Sequence, residues 1–200
     1  MKPIQLTYFV TFTILFLCNT IIARVQEKQY SNPTASGFRE EYITQLEAVK
    51  KEILDLESAI PQEKFSWRPM DGVRSISEVY LHISGSVYLI LGFASYESPK
   101  EISYSEKKKV WETATTDKKE IQKSLEQAFE FLNMTVVKMT DDDLEKKLQL
   151  FGKESTQRNA LITIMNHLHE HLGQSIAYAR MNGVIPPWTA DRLAKEKEKK

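Results

Sequence analysis

Three of four long segments of the chain carry apolar residues at spacings of three and four, which is the period of one face of an α-helix, and the remaining one, 75–96, has the apolar content of a helix buried on most sides. The first covers residues 38–60, the second 75–96 and the third 115–138. The fourth begins near Thr156 and ends before Gly183. No stretch alternates in the manner of a half-buried β-strand, and no Gly-rich phosphate loop is present. Four long amphipathic segments with modest connections predict an all-α fold, a four-helix bundle.

The ends of these segments carry helix-terminal signals. Ser75 and Glu78 have the spacing of a capping box, in which each side chain satisfies the backbone N–H of the other residue. Gly183 suits the position just after the last helix, and Pro186 with Pro187 prevents that helix from continuing.

Length and composition indicate how the chain is divided. A chain of 200 residues with 42% apolar content suits one domain with appendages. We predict the bundle over residues 38–188, in which 139–155 form a connection with a short turn. A polar linker, 24–37, precedes the bundle, and a solvated charged tail, 189–200, follows it. Basic and acidic residues balance at 27 each, which argues against a nucleic-acid partner.

Residues 1–23 have the layout of a secretory signal peptide, with a lysine near the start, an apolar run over 4–18 and a small residue, Ala23, at the end. This run is short for a membrane span, which needs roughly 20 apolar residues. Ile21, however, occupies a position that usually holds a small residue. A retained membrane anchor over residues 4–22 is therefore the alternative to a cleaved signal.

Cys18, inside this segment, is the only cysteine of the chain. A lipoprotein would need a small residue before it, but Leu17 stands there. After cleavage the protein would have no disulfide, no thiolate nucleophile and no cysteine-type zinc site. The signal segment and the lack of other cysteines predict an exported protein, periplasmic or extracellular, of a bacterial envelope.

Residues 167–171 read HLHEH, and three histidines in five positions raise the question of a metal site. On a strand all three would share one face. On a helix, at about 100° per residue, His167 and His171 lie about 40° apart while His169 points away from them. The apolar spacing around the histidines is helical, so the pair is His167 with His171. The zinc-protease pattern H-E-x-x-H is absent, because Gly173 stands four residues after His169.

The pair needs a third ligand, because two ligands rarely hold a metal tightly. The only other histidine is His82, in the middle of the second segment. Its helical face also carries Glu78 and Ser86, a polar strip that has to meet something polar. A buried imidazole without a partner would cost about 1–3 kcal/mol. If the pair binds a metal, His82 is therefore the most economical third ligand for His167 and His171; the alternative is that these histidines are structural residues with hydrogen-bond partners.

Two stretches around these histidines, SISEVYLHIS and HLHEHLGQSIAYARMNGVIPP, resemble the DinB-like superfamily, also described as DinB/YfiT-like metalloenzymes. The resemblance covers most of residues 38–188. It implies a four-helix bundle in which the second helix supplies one histidine to a divalent metal and the last helix supplies an H-x-x-x-H pair. Those roles correspond to His82, His167 and His171. The recurrent features H-x-G-Q and R-x-x-G-x-x-P-P are matched by His171, Gly173, Gln174, Arg180, Gly183, Pro186 and Pro187.

Three neutral imidazoles around a divalent ion leave coordination positions for water or substrate, as in catalytic sites. Zinc, nickel, copper and iron all accept such ligands, and the sequence does not choose among them. An ion of this kind lowers the pKa of bound water or thiol and polarises a substrate oxygen. The side chains of Glu78, Ser86, Gln174 and Tyr178 lie on faces from which they can orient the imidazoles.

The resemblance implies a metal-dependent hydrolase or a thiol-dependent transferase, acting on a small-molecule substrate that the sequence does not identify. Predicted export argues against a cytosolic thiol cosubstrate and so favours hydrolysis. No general base or nucleophile is evident on the histidine face. The alternative is therefore a non-catalytic envelope protein that binds metal or a ligand, or that forms a homodimer through the bundle. An open, water-accessible metal position would favour the enzyme, and a sealed one would favour the binding protein.

Overall fold

A computed structural model of the protein describes residues 37–97 and 111–199. Its elements are α1 (Phe38–Ala59), a 3-10 turn (Gln62–Lys64), α2 (Ile76–Phe93), α3 (Lys118–Lys138), α4 (Asp141–Leu144), β1 (Lys147–Leu150), β2 (Lys153–Thr156), α5 (Gln157–Met181) and α6 (Pro187–Glu198). The predicted signal segment, 1–23, and nearly all of the predicted linker, 24–37, lie outside the described residues.

Helices α1, α2, α3 and α5 form the predicted four-helix bundle, and the apolar face of each becomes its buried face. Leu46, Ile83, Phe129 and Leu168, one from each helix, are at most 1% exposed. Helix α2 is buried on most sides, as its high apolar content requires. By length and hydropathy it would suit a membrane span, but 78% of that window is buried within the protein, so it is the core helix of the bundle.

Hydrogen bonds at both ends show that α1 and α3 run antiparallel. At the start of α1, Arg39 donates from Nε to Oδ1 of Asp141, just beyond the end of α3, at 3.2 Å. Beyond the other end of α1, Nζ of Lys118, the first residue of α3, donates to the backbone oxygen of Ile60 at 2.9 Å. The Lys118 ammonium therefore lies at the C-terminal end of α1, where a positive charge complements the helix dipole.

Helices α2 and α3 run parallel. The hydroxyl of Ser124 donates to that of Ser84 at 2.9 Å, and further along both helices the rings of Tyr88 and Phe131 lie 5.4 Å apart. Parallel neighbours in a bundle need a long crossover connection. The chain supplies residues 94–117 for it, and that connection brings further side chains to the helices.

The predicted signals for the helix ends are confirmed. The backbone N–H of Glu78 donates to Oγ of Ser75 at 3.3 Å, and the backbone N–H of Ser75 donates to Oε2 of Glu78 at 2.7 Å. Gly183, with φ +76°, occupies the left-handed conformation that commonly ends a helix. These caps fix where α2 begins and where α5 ends, and the histidines lie on these two helices.

The expectation that no strand is present was wrong for part of the connection over 139–155. After the predicted turn at Leu144, which is the helix α4, β1 and β2 pair antiparallel from Lys147 with Thr156 to Leu150 with Lys153. Phe151 and Gly152, between the strands, both have positive φ, 51° and 79°. Two such residues make the type I′ turn that suits a tight hairpin.

The C-terminal tail contains a helix, which the sequence analysis did not predict. Pro187 to Glu198 form helix α6, with Pro187 at its first position, where a proline fits because no N–H partner is needed there. The side chains of α6 are exposed or half-buried, so the tail is solvated, as predicted. The proline pair ends α5 and at the same time starts a new helix.

Candidate metal centre

The structure brings the three predicted ligand residues together inside the bundle. Ring centroids lie 4.9 Å apart for His82 and His167, 4.7 Å for His82 and His171, and 4.3 Å for His167 and His171. One nitrogen from each ring lies within 4.8 Å of those of the other two. His169 lies elsewhere: its side chain is exposed, and its Nδ1 donates to the backbone oxygen of Met165 at 2.9 Å. The helical face count had separated His169 from the pair in this way.

The spacing of the rings fits a divalent ion bound by three imidazoles. Zinc–nitrogen bonds of about 2.0–2.1 Å at tetrahedral angles place the ring centroids roughly 5 Å apart. The three observed separations, 4.3 to 4.9 Å, are close to that value. The rings also meet at 72° to 86°, so they do not stack on one another. Small side-chain movements would suffice to bring the three nitrogens to one ion.

Gln174 holds the ring of His171, one turn further along α5. Nδ1 of His171 lies 2.8 Å from Oε1 of Gln174, which only accepts hydrogen bonds, so Nδ1 carries the proton and donates. Nε2 of Gln174 in turn donates to Oη of Tyr178 at 3.0 Å. The ring of Tyr178 packs edge-on against Trp67, with centroids 5.5 Å apart. This chain fixes the tautomer of His171 and presents its Nε2 lone pair.

Ser86 holds the ring of His167 from α2. The Ser86 hydroxyl donates to the backbone oxygen of His82 at 2.5 Å. Because a hydroxyl has one hydrogen, its 2.8 Å contact with His167 is donated by Nε2 of the histidine. Ser86 therefore links the ring of one predicted ligand to the backbone of another.

Glu112 holds the ring of His82, and the sequence had not singled it out. Oε1 of Glu112 accepts from Nδ1 of His82 at 2.7 Å. Arg74 binds the same carboxylate with two bonds of 3.1 Å, from Nε to Oε2 and from Nη2 to Oε1. Next to Glu112, Trp111 donates from Nε1 to the backbone oxygen of Leu81 at 2.9 Å. No periodic pattern in the sequence pointed to these two side chains of the α2–α3 connection.

Glu78, predicted to be able to orient an imidazole, has another role. Its Oε2 accepts from the backbone of Ser75 in the capping box, and its Oε1 accepts from Nη2 of Arg68 at 2.9 Å. Both carboxylate oxygens thus accept hydrogen bonds, one from the N-cap of α2 and one from the loop before it. The carboxylate that reaches the cluster is that of Glu112 instead.

Burial keeps two of the imidazoles neutral. The pKa of His82 is lowered to about 3, chiefly by removal from water and then by the charges of Arg74 and the neighbouring His171, against the opposing effect of Glu112. Burial also lowers the pKa of His171, although its hydrogen bond to Gln174 opposes the shift. A metal ligand must be a neutral imidazole, so both rings are in the binding form at neutral pH.

The three histidines of the cluster differ in how far they are buried. His82 and His171 are 8% and 6% exposed, whereas His167 is half-buried. Two of the predicted ligand residues are therefore held in the protein interior, while the third lies nearer the surface.

The fold and the site define a class of helical-bundle protein with three converging histidines on two helices. Residues 45–175, well over half of the chain, match the DinB superfamily, and the chain belongs to it. No curated protein is significantly similar in sequence.

Solved structures share the fold. A DinB-like protein from Bacillus cereus has a TM-score of 0.64 at 20% identity, covering 74% of this chain and 95% of its own. YfiT from Bacillus subtilis, described as a probable metal-dependent hydrolase with an unusual four-helix bundle topology, has a TM-score of 0.59 at 17% identity, covering 76% and 91%. A mycothiol-dependent maleylpyruvate isomerase has a TM-score of 0.55 at 12% identity, covering 67% of this chain and 59% of its own.

Proposed function

We propose that the protein is a divalent-metal-dependent enzyme whose ion is bound by His82, His167 and His171. The observation that carries the proposal is the convergence of three imidazoles from α2 and α5, with ring centroids 4.3 to 4.9 Å apart. Burial that favours neutral rings at His82 and His171 supports it, because only neutral imidazoles bind a metal. The description of YfiT as a probable metal-dependent hydrolase supports it as well.

Hydrolysis of a small-molecule substrate is the reaction that we propose. When bound, a divalent ion supplies Lewis-acid chemistry and lowers the pKa of a water molecule. Residues of the chain hold the ligands: Gln174 and Glu112 each accept from Nδ1 of one ring, which leaves the lone pair for a metal on the opposite nitrogen, Nε2. The half-buried position of His167 supports an open coordination site, which an enzyme requires.

Thiol-dependent transfer is the competing reaction, because a mycothiol-dependent isomerase shares the fold. We prefer hydrolysis because residues 1–23 predict export, away from a cytosolic thiol cosubstrate. We further propose a periplasmic or extracellular location on the same basis. Sequencing the N-terminus of protein recovered from the extracytoplasmic fraction would test it: a start at residue 24 supports cleavage, and a start at residue 1 supports the anchor.

A non-catalytic envelope protein that binds metal or a ligand is the second candidate. The observation favouring it is that the carboxylate of Glu112 is engaged by both Arg74 and His82. It is therefore not placed to accept a proton from a substrate or a water molecule.

An activity screen of metal-loaded protein distinguishes these functions. Zinc, nickel and iron forms would be tested on ester and amide substrates, with and without low-molecular-weight thiols. We expect thiol-independent hydrolysis that is lost in His171→Ala and retained in His169→Ala, since His169 lies outside the cluster. Activity that requires a thiol would support the transferase. Tight metal binding without turnover of any substrate would support the binding protein.

A further inference from the structure

We propose that Glu112, clamped by Arg74, is a positioning residue that fixes the ring of His82 for metal binding. The inference rests on the proposed function, because it takes His82 as a ligand. It adds two residues that lie outside the four helices of the bundle. Glu112 lies in the α2–α3 connection, and Arg74 lies in the loop before α2. The argument depends on the geometry of three contacts.

The contact between Glu112 and His82 determines which nitrogen of the ring is protonated. An ionised carboxylate only accepts hydrogen bonds, so at 2.7 Å from Oε1 the Nδ1 atom of His82 must donate. The remaining nitrogen, Nε2, then carries the lone pair that a metal needs. A carboxylate behind a ligating histidine also makes the imidazole a stronger donor, which a neutral amide such as Gln174 does much less.

The contact between Arg74 and Glu112 keeps the carboxylate in place. Two bonds of 3.1 Å join the planar guanidinium to both carboxylate oxygens, an arrangement that fixes orientation as well as distance. Glu112 is only 12% exposed at its side chain, so water competes weakly for it. The Arg74 charge also neutralises a carboxylate that would otherwise be costly to place beside a buried ring.

The third contact anchors the connection itself. Nε1 of Trp111 donates to the backbone oxygen of Leu81 at 2.9 Å, and its ring lies 6.3 Å from that of Tyr88. Leu81 precedes His82 directly, so the residue before Glu112 is tied to the residue before the ligand. Trp111 thereby holds Glu112, the next residue, beside the cluster.

The first test uses the metal-free protein. Long-range ¹H–¹⁵N spectra of the histidine rings distinguish the two neutral tautomers of His82. We expect Nδ1–H for the wild-type protein and a mixture of tautomers for Glu112→Ala, with Glu112→Gln, which keeps an oxygen acceptor, retaining Nδ1–H. A His82 ring that keeps the Nδ1–H tautomer in Glu112→Ala would overturn the proposal.

The second test measures affinity for Co²⁺ as the only added metal, together with its visible absorption. We expect Glu112→Ala to bind about 10–100-fold more weakly with a shifted spectrum. Glu112→Gln should lose less, and Arg74→Met should lie between the wild type and Glu112→Ala. The control Glu130→Ala, an exposed residue of α3, should match the wild type.

Wild-type affinity in Glu112→Ala would contradict the inference. If the wild type bound no Co²⁺, the proposed function would fail, and the tautomer measurement would still decide the role of Glu112.

Discussion

Nδ1 of His171 donates to Oε1 of Gln174 at 2.8 Å, within one turn of α5. Since Gln174 also donates to Tyr178, its amide cannot rotate to offer nitrogen to the histidine without breaking both bonds. The ring of His171 is therefore held in one tautomer by residues of its own helix. The local H-x-x-Q spacing of the sequence is enough to build this contact.

Replacing Gln174 by leucine should weaken metal binding without preventing folding. The leucine removes the acceptor for Nδ1 of His171, and loss of such a partner typically costs 10–100-fold in affinity. A competition titration with Zn²⁺ would measure the change. Gln127→Leu, an exposed position on α3, is the matched control and should bind as the wild type does. Equal affinities for both variants would show that Gln174 does not orient the ligand.

Metal content should depend on His171 and not on His169. Elemental analysis of the purified mature protein should find about one divalent ion per chain, as three imidazoles and open positions would hold. His171→Ala removes one ligand of the cluster and should lose the ion. His169→Ala changes an exposed ring that bonds to the backbone of Met165 and should keep it. A full complement of metal in His171→Ala would refute the ligand assignment.

The helices and the histidine pair were predictable because their signals are local. Periodic apolar residues define each helix face, and the capping box at Ser75 and Glu78 lies within one turn. His167 and His171 share a face for the same reason. That His82 would meet them required only that its polar strip face another helix of the bundle.

The contact between Glu112 and His82 and the β1–β2 hairpin depend on the tertiary path of the chain and were not predictable from the sequence. Glu112 reaches His82 from 30 residues away, through a connection without periodicity. The β1–β2 hairpin has strands of only four residues, and its turn is formed by Phe151 and Gly152. This Phe-Gly pair lacks the Asn-Gly or Asp-Gly signal that predicts such turns. Contacts set by tertiary structure leave little trace in the local spacing of residues.

Loss of the cap at the start of α2 should destabilise the protein. Ser75→Ala removes the oxygen that accepts from the Glu78 backbone, and an N-cap of this kind contributes about 1 kcal/mol. Urea unfolding would measure the free energy of unfolding. Ser66→Ala, an exposed position in the loop before α2, should be neutral. If the two variants unfolded at the same urea concentration, the capping box would contribute nothing.

Glu57 should make the stability of the fold fall as pH rises. Its side chain is fully buried, neither carboxylate oxygen has a hydrogen-bond partner among the described residues, and burial raises its pKa from 4.5 to about 7. The nearby charge of Lys118 opposes this shift and that of Glu126 adds to it, and the charge of Glu57 in turn helps to raise the pKa of the buried Tyr80 hydroxyl. The folded protein thus holds the proton more tightly than the unfolded chain. The contribution of Glu57 to the free energy of unfolding is fully present below pH 4.5 and is lost as pH rises to about 7, by about 3 kcal/mol.

Because glutamine never ionises, the advantage of Glu57→Gln over the wild type in urea unfolding should grow by that amount between pH 4 and pH 8. An exposed control, Glu130→Gln, should show no such trend, and a constant difference for Glu57→Gln would mean that the buried carboxyl does not titrate in this range.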